Sequence, residues 1–365
     1  MTGTHNGNGN GNGVVNGSGR ALTGKTVLVT GAGGYIGCVL TDMLLEQGAK
    51  VHAFDRFFFG EKTLINGFRP QDDDLHLVKK DIRDAQESDF EGVDIVLDLA
   101  ALSNDPSGDL EPELTWAINS SGRRHFAAKA KAAGVARYVM SSTCSIYGAA
   151  EQGLCDEESA ANPLSIYAKS NFECEEAVRD MNSGGFVTCA LRNATVFGLS
   201  RRMRFDLVVN LMTLSAFDNG QITVMGGGRQ WRPLVHVKDV ARALITLATA
   251  EAETVGGGAY NVGIGNFQVK TIAAIVREVL PFPIQLQIAP DDPDRRNYAV
   301  NFTKLKRDLG FEAEFDIEYG VREIYEGLKL GQIENGPRCS TVGWYRHLLE
   351  AKSILQEVEL NGRLL

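Results

Sequence analysis

The sequence predicts an α/β protein in which a doubly wound parallel sheet is followed by a smaller C-terminal domain. Two observations carry this prediction. Apolar runs typical of buried strands alternate with helical patterns from Lys25 to about Gly198, and the first strand leads through a glycine-rich turn directly into a helix. Strands that alternate with helices form a parallel sheet that is covered by helices on both faces.

The elements follow one another in a regular order. The stretch "KTVLVTGAGGYIG" gives a strand, a turn and the start of a helix, which continues in "CVLTDMLLEQGA" and ends at Gly48. A second strand is predicted in "KVHAFD", and later strands in "LHLVKKD", "DIVLDLAA", "ARYVMSS" and "VTCALRNATVFG". Helices are predicted between them in "SGRRHFAAKAKAAG" and "SNFECEEAVRDM". After Gly198 the pattern loosens, and loops separate helices such as "VKDVARALITLATA".

This order predicts four segments. Residues 1–22 form an unstructured Gly/Asn-rich tail, and residues 23–200 form a Rossmann-type domain. Residues 201–345 form the smaller, substrate-binding domain. The two domains can be interleaved, because the chain can pass between them more than once. Residues 346–365 form a C-terminal helix.

Composition excludes several classes of function. A net charge of -9 and a pI near 5.3 argue against nucleic acid as a partner, because such binding needs a basic face. The run "RRMR" at 201–204 is still able to hold a small phosphate ligand. The six cysteines have no spacing that would build a metal site, so we expect a reduced, cytoplasmic protein without metal. No apolar run is long enough to predict a membrane span.

The glycine turn predicts a dinucleotide site. Gly31, Gly34 and Gly37, with Tyr35 and Ile36 among them, stand directly after a strand and at the start of a helix. Glycine allows a tight turn and a close approach to a pyrophosphate, which the helix N-terminus attracts. An ordinary turn is the alternative, because glycine is abundant in this chain. Asp55 ends the second strand and is suited to the ribose hydroxyls, which favours NAD over NADP, although Arg56 beside it weakens that preference.

Several motifs in order resemble the extended short-chain dehydrogenase/reductase family, and within it the NAD-dependent nucleotide-sugar epimerases and dehydratases. The motifs are the glycine spacing, "DI" at Asp81, "LAA" at Leu99, "SSTCSIYG" from Ser141 and "YAKS" from Tyr167. The similarity covers roughly residues 25–328. It implies a cytoplasmic isomerase with NAD as cofactor, a nucleotide-diphosphate sugar as substrate and a homodimer formed through the helix from Asn171 to Met181.

The resemblance also implies roles for individual residues. Thr143 and Tyr167 fall on the family's catalytic Ser/Thr and Tyr. Asn119 is expected to brace the central strands beside the cofactor, and Arg232 to grip the sugar nucleotide's diphosphate. Further cofactor contacts are expected from Asp81, Ile82, Leu99, Ala100 and Ala101, and substrate contacts from Ser103, Cys144, Ser145, Thr195, Arg204, Asn210 and Arg295.

One departure from the family concerns the partner of the tyrosine. Relatives carry a lysine four residues after Tyr167, and this chain has Asn171. A free tyrosine has a pKa of about 10, and a cation about 4 Å away at an effective dielectric of about 20 is worth at most about 4 kcal/mol, or roughly three pKa units. Asn171 supplies hydrogen bonds without charge, so we expect weakened proton transfer. Lys169 points to another face of the helix and is a poor substitute.

A second departure concerns the two residues after the threonine. The 4,6-dehydratases of the family carry an Asp-Glu pair there, and this chain has Cys144 and Ser145. Elimination that uses two carboxylates is therefore disfavoured, and packing is the more probable role for Cys144. The chemistry that needs the fewest groups is reversible oxidation and re-reduction at one sugar carbon, which is epimerisation.

Three alternatives stay open at this point. The chain can be a dehydratase, a decarboxylase or a reductase that acts on a similar substrate. It can be an NAD-binding or sugar-nucleotide-binding protein whose catalysis was lost with the lysine. Asn171 can also be an engineered change in an ordinary enzyme.

Overall fold

The computed structural model describes residues 21–64, 73–290, 297–333 and 335–363. These residues contain fourteen strands: β1 Thr26–Thr30, β2 Lys50–Asp55, β3 Leu75–Lys79, β4 Ile95–Asp98, β5 Arg137–Thr143, β6 Ala149–Cys155, β7 Val187–Asn193, β8 Thr195–Phe197, β9 Gln221–Val224, β10 Trp231–His236, β11 Ala259–Val262, β12 Gly265–Gln268, β13 Gln285–Ile288 and β14 Asn297–Val300.

The same residues contain twelve α-helical segments. They are α1 Tyr35–Glu46, α2 Asp105–Gly108, α3 Pro112–Trp116, α4 Arg123–Ala132, α5 Ile166–Asp180, α6 Val208–Asn219, α7 Val237–Thr249, α8 Ala252–Val255, α9 Val269–Val279, α10 Thr303–Leu309, α11 Ile317–Lys329 and α12 Thr341–Val358.

The central sheet has seven parallel strands in the order β11-β7-β5-β4-β1-β2-β3. The chain builds outwards from β1 to β2 and β3 on one side, then crosses over to β4 and continues away from it. The direction of winding therefore reverses between β1 and β4. In open α/β sheets the crevice at the carboxyl ends of such neighbouring strands is where ligands bind.

Both faces of this sheet are buried, as the alternating pattern predicts. In β1, Val27 and Val29 belong to the core on the side of α1 and α7, whereas Leu28 belongs to the core on the side of α4 and α5. Neighbouring residues of a strand point to opposite faces, so a strand that is covered on both sides reads as a continuous apolar run. The seven-stranded sheet and its two helical layers agree with the predicted fold class.

The smaller part of the molecule does not form one continuous stretch of chain. Its core lies among α6, α9 and α11 and includes Val209, Ile272 and Val321. Between these helices, however, the chain returns to the central sheet, because α7 packs against α1 and β11 forms the sheet edge beside β7. Residues 237–262 thus pack with the elements of the central sheet.

The chain ends differ in detail from the predicted segments. Residues 1–20 of the predicted tail lie outside the described residues, but Leu22 is 1% exposed and packs in the core beside α1. The C-terminal helix begins at Thr341 instead of at 346. None of the helices within the described ranges is long and apolar enough to cross a bilayer.

Candidate active site

A long cleft lies at the carboxyl ends of the central strands, above the switch between β1 and β4. It brings together most of the residues that the sequence singled out, from the glycine turn at one end to the tyrosine of α5 at the other. The predicted residues that line it are Gly31, Gly34, Tyr35, Ile36, Gly37, Asp55, Arg56, Asp81, Ile82, Leu99, Ala100, Ala101, Ser103, Thr143, Ser145, Tyr167, Asn171, Thr195 and Arg204.

The floor of the cleft requires glycine. Gly31 has a φ of 66°, and a Cβ there would stand 3.1 Å from the backbone of Leu99 and Ala100. A Cβ on Gly37 would stand 2.2 Å from the carbonyl oxygen of Gly31, closer than any real contact. The turn therefore packs backbone on backbone and leaves the start of α1 open to the cleft. Backbone N-H groups at a helix N-terminus suit the pyrophosphate of a dinucleotide.

Asp55 is held in place beside the glycine turn. One of its carboxylate oxygens accepts the Gly33 N-H at 2.9 Å, and the other accepts the Phe57 N-H at 2.5 Å. Burial raises the pKa of this carboxyl group, and the two N-H groups oppose the rise. Arg56 turns away from Asp55 and pairs with Asp81 at 3.0 Å. The carboxylate of Asp55 thus lines the cleft without neutralisation by Arg56.

Thr143 and Tyr167 line the opposite end of the cleft. Thr143 closes β5, and its hydroxyl accepts the Ser145 N-H at 3.1 Å. Burial raises the pKa of the Tyr167 hydroxyl, and hydrogen bonding with Thr143 opposes the rise. The negative charge of Asp105 adds to it, whereas the positive charges of Arg204 and Arg123 oppose it. Without a bound ligand, the hydroxyl is therefore held in its protonated form.

Asn171 is part of a buried polar network. It is 1% exposed, its Nδ2 donates to the Tyr167 carbonyl oxygen at 2.8 Å, and its Oδ1 accepts Nη1 of Arg123 at 2.9 Å. The Arg123 side chain is 0% exposed and pairs with Asp98 at 2.8 Å. Its Nη2 also donates to the carbonyl oxygens of Asp98 and Ser141. A fully buried guanidinium thus lies directly behind the position where relatives carry their lysine.

Sequence reasoning missed Arg123 because its role depends on contacts between distant segments. Residue 123 reads as one of several charges on an ordinary helix, and 48 positions separate it from Asn171. The only signal in the sequence was the uncharged Asn171, which indicates that any cation near Tyr167 has to come from another part of the chain. Lys169, the substitute that the sequence disfavoured, lies on the exposed side of α5.

Asn104 and Asp105 also line the cleft beside the tyrosine, and the sequence did not single them out. Asn104 has a φ of 86°, which is uncommon for a residue with a side chain. Its Oδ1 caps α2, and its Nδ2 donates to Asp206 at 2.8 Å. Asp206 in turn binds Arg204 at 2.9 Å. This arrangement fixes a carboxylate and a guanidinium close to Tyr167.

Three of the predicted residues have contacts within the protein framework and are not among the residues that line the cleft; a bracing role for Asn119 and packing for Cys144 were the expectations from the sequence. Cys144 is 0% exposed, and its thiol donates to the Arg192 carbonyl oxygen, so the turn after β5 directs it into the core. Asn210 binds the Gly198 N-H and the Tyr35 hydroxyl and holds the loop before α6. Asn119 exchanges two hydrogen bonds with the Leu102 backbone and braces the chain after β4.

Two predicted arginines remain. Arg232 is 7% exposed, and its Nη1 donates to the Trp231 carbonyl oxygen; it lies in β10, outside the residues that line the cleft. Arg295 lies outside the described residues. The predicted grip of Arg232 on a diphosphate is therefore without support from the cleft geometry, and Arg204 is the guanidinium that lines the cleft near Tyr167.

The last helix adds a roof that the sequence did not predict. Tyr345 of α12 lines the cleft, together with Phe58, Phe59 and Arg202. The indole N-H of Trp344 donates to the Phe58 carbonyl oxygen at 2.7 Å. Nothing in the local pattern of the last helix identifies this role, because only the fold brings α12 to the loop after β2.

Three comparisons place the chain among known proteins. The model of the family described as "NAD dependent epimerase/dehydratase family" matches residues 27–263. UDP-glucuronic acid decarboxylase 1 of Danio rerio is 26% identical over 314 residues, which cover 83% of this chain and 72% of the relative.

Two solved structures are similar over nearly their whole length. UDP-N-acetylglucosamine 4-epimerase from Methanobrevibacter ruminantium, in complex with UDP-N-acetylmuramic acid, has 25% identity and a TM-score of 0.77, covering 86% of this chain and all of that one. MoeE5, in complex with UDP-glucuronic acid and NAD, has 25% identity and a TM-score of 0.73, covering 84% of this chain and 99% of that one. These similarities confirm the predicted fold class.

Proposed function

Because the chain belongs to the NAD dependent epimerase/dehydratase family, as its motifs predicted, and NAD is the cofactor of that family, we propose that it is a nucleotide-sugar epimerase. One observation carries the proposal. A single cleft joins the glycine turn and Asp55 to Thr143 and Tyr167, while the residue directly after Thr143 is a cysteine buried in the core. The cleft thus has the groups for proton exchange at a sugar hydroxyl.

Each part of the cleft has a distinct task in this proposal. The glycine turn, the start of α1 and Asp55 would hold the dinucleotide, which supplies reversible oxidation when it is bound. Thr143 would orient the sugar hydroxyl through a hydrogen bond. Tyr167 would take the hydroxyl proton and return it after the ketone has turned over. General acid-base catalysis of this kind contributes about 10²- to 10⁴-fold to a rate.

The electrostatics predict a slow enzyme with an alkaline optimum. Burial raises the pKa of Tyr167. The two guanidinium groups that oppose the rise are each paired with a carboxylate, Arg123 with Asp98 and Arg204 with Asp206. A paired cation acts on a third group more weakly than a free one, because its partner's field offsets its own. The phenolate is therefore scarce at neutral pH.

A decarboxylase or dehydratase is the second candidate, and Asp105 is the observation that favours it. Its carboxylate lines the cleft, contacts the Ser165 hydroxyl, and lies close enough to raise the pKa of Tyr167. A carboxylate beside the reacting sugar is suited to proton transfer to or from carbon or a leaving hydroxyl. The decarboxylase of Danio rerio is a relative whose named reaction would need more than the tyrosine.

A homodimer in the cytoplasm completes the proposal, with α5 and α4 of each protomer at the interface. The outer side of α5 carries exposed charged residues, and Glu173 pairs there with Arg124 of α4 at 3.0 Å. Such an interface would be polar and dependent on ionic strength. Sedimentation equilibrium at low and high salt measures this directly, and a monomer at all concentrations would contradict it.

The function is tested by product analysis. The protein is incubated with NAD and, separately, with UDP-glucose, UDP-glucuronic acid and UDP-N-acetylglucosamine, while absorbance reports enzyme-bound NADH. An epimer keeps the mass of its substrate, whereas decarboxylation loses carbon dioxide and dehydration loses water, so mass spectrometry and NMR distinguish the candidates.

Two variants serve as controls for this experiment. Tyr167→Phe is expected to abolish NADH formation and product. Tyr260→Phe removes the same atom from a core tyrosine whose hydroxyl donates to the Thr254 carbonyl oxygen, and it is expected to stay active. If NAD binds but no sugar of a wider panel yields NADH or product, the proposed enzyme activity is wrong and a binding protein is the better description.

A further inference from the structure

Arg202 is a buried cation that has no direct ion pair among the described residues, although the carboxylates of Asp55 and Asp206 act on it from a greater distance. It lies in the loop after β8, is 4% exposed and lines the cleft. Its Nη2 donates to the Thr341 hydroxyl at 2.9 Å, and its guanidinium lies 3.6 Å from the centre of the Phe59 ring. Its Nε is buried without a hydrogen-bond partner, and no carboxylate among the described residues forms an ion pair with it.

The buried position of the Arg202 guanidinium is energetically unfavourable as long as no ligand is bound. Burying a charged group without an opposite charge costs free energy, which contact with an aromatic face recovers only in part. Burial, together with the like charge of Arg204, lowers the pKa of Arg202 to about 10. Neighbouring Arg201 differs in having an ion pair, with Asp42 at 2.9 Å, although its Nε is likewise buried without a hydrogen-bond partner. What Arg202 lacks is an anion in direct contact with its guanidinium.

The position of Arg202 identifies the anion by its chemistry. It lies near Asp55, because its charge lowers the pKa of that carboxyl group, and Phe59 follows Asp55 in the loop after β2. Asp55 marks the adenosine ribose, and the phosphates of a dinucleotide follow that ribose directly. The glycine turn lines the same cleft and offers N-H groups to those phosphates.

We propose that Arg202 binds the diphosphate of NAD from the roof of the cleft and thereby couples cofactor binding to docking of the C-terminal helix. The inference rests on the proposed function for the identity of the dinucleotide. Arg202 touches both partners: its guanidinium faces the cleft, and one of its N-H groups is held by Thr341 at the start of α12. A guanidinium with free N-H groups is suited to phosphate oxygens.

Further contacts make α12 a roof that can respond to the cofactor. Trp344 donates to the Phe58 carbonyl oxygen, and the Tyr345 ring contacts both Phe58 and Phe59. The helix lies beyond residues 27–263, which the family model matches, so this roof is an addition to the part that defines the family. If NAD binds more tightly when the helix is docked, then the helix docks more tightly when NAD is bound.

The first test measures binding without catalysis. Calorimetry compares wild type, Arg202→Gln and the matched control Arg201→Gln with NAD, ADP and adenosine as ligands. In Arg202→Gln we expect the affinity for NAD and ADP to fall about 10- to 100-fold, which is about 1.4 to 2.8 kcal/mol, with adenosine unchanged. The affinity of Arg201→Gln for NAD is expected to stay within about twofold of wild type, because Arg201 forms an ion pair with Asp42.

Other outcomes of this test overturn the proposal. Equal loss of affinity for adenosine would make Arg202 a structural residue. UDP-glucose is titrated in the same way, and a loss of affinity that is confined to UDP-glucose, with NAD unchanged, would mean that Arg202 binds the diphosphate of the substrate. The melting temperature without ligand separates the roles further: removal of an uncompensated buried charge is expected to leave it unchanged or raise it, whereas a structural arginine would lower it. Failure of the enzyme assay leaves these binding results interpretable.

The second test addresses the coupling and does not depend on the folding of Arg202→Gln. Thr341→Val removes the acceptor that holds the guanidinium and is expected to weaken NAD binding several-fold. Hydrogen exchange over residues 341–358 is then measured with and without NAD. We expect NAD to slow exchange there in wild type and Arg201→Gln, and to have little effect in Arg202→Gln and Thr341→Val. Exchange that is insensitive to NAD in wild type would refute the coupling.

Discussion

Replacing Asn171 by lysine is the most direct test of how this site differs from its relatives. If the asparagine were simply a loss, Asn171→Lys would restore an efficient enzyme. The structure predicts the opposite for the single substitution, because Arg123 already occupies the neighbouring interior. Its Nη1 lies 2.9 Å from Oδ1 of Asn171, and its side chain is 0% exposed.

Two effects set the magnitude of the change. The substitution removes the acceptor of a buried charged hydrogen bond, which costs about 2 kcal/mol. It also introduces a second cation: two unit charges about 4 Å apart repel by about 4 kcal/mol at an effective dielectric of about 20, and attraction to Asp98 at about twice that distance offsets about half. We therefore expect Asn171→Lys to lower the free energy of unfolding by about 4 kcal/mol.

The new lysine has one way to reduce this cost, which is to lose its proton. Releasing a proton at pH 7 from a group with a pKa of about 10.4 costs about 4.6 kcal/mol, so the two routes are similar in free energy. A neutral lysine cannot lower the pKa of Tyr167. Either way, the single variant is expected to gain no rate of NADH formation at neutral pH.

The matched experiment is a double-mutant cycle with Arg123→Met, followed by urea denaturation and by the NADH assay. Arg123→Met/Asn171→Lys leaves one cation for Asp98, so its destabilisation is expected to be smaller than the sum of the single effects by about 2 kcal/mol or more. Glu176→Gln changes the net charge by the same amount on an exposed position of α5 and is expected to have no effect. A single Asn171→Lys variant that is as stable as wild type and faster would refute this reasoning.

Three further predictions address other parts of the site. Asp105→Asn removes a negative charge that raises the pKa of Tyr167, so the phenolate forms at lower pH and the ascending limb of the kcat/KM profile for NADH formation shifts to lower pH; a loss of activity at every pH would instead indicate that Asp105 transfers a proton. Gly37→Ala places a Cβ 2.2 Å from a backbone oxygen and is expected to lower stability by about 2 kcal/mol and abolish NAD binding, whereas Gly184→Ala meets nothing within 4 Å and should change neither in denaturation and calorimetry. Trp344→Phe loses the hydrogen bond to the loop after β2, so hydrogen exchange over residues 341–358 should accelerate without a change in the core strands; unchanged exchange would mean that this bond does not hold the roof.

Local patterns predicted the parts of the site that local geometry determines. The strand, the glycine turn and the helix from Lys25 onwards form the floor of the cleft, where there is no room for Cβ atoms on the glycines. The glycine spacing that predicts this floor lies within a few adjacent residues. Thr143 and Tyr167 were predicted by resemblance, because their motifs lie at the ends of regular elements. Both sets of residues line the cleft in the structure.

Local patterns do not determine in which direction several other side chains of the site point. After β5 the chain enters a 3-10 turn at Cys144–Tyr147, so neighbouring side chains do not alternate as they do in a strand. Cys144 therefore enters the core while Ser145 lines the cleft. Asn210 is likewise drawn inward by the Gly198 N-H, a partner that only the loop before α6 supplies. The run at 201–204 was recognised as able to hold a phosphate, but the contacts of Arg202 with α12 depend on the tertiary fold.

The contacts of Asn171 also argue against its being an arbitrary substitution in an ordinary enzyme. Its two side-chain atoms have complementary partners, since Oδ1 accepts from Arg123 and Nδ2 donates to the Tyr167 carbonyl oxygen. An ammonium group has only donors and cannot accept the Arg123 N-H. Arg123 in turn satisfies Asp98, which is 0% exposed and would otherwise be a buried, unpaired carboxylate. Asn171, Arg123 and Asp98 therefore form one self-consistent set, in which a lysine at 171 would require a different residue at 123.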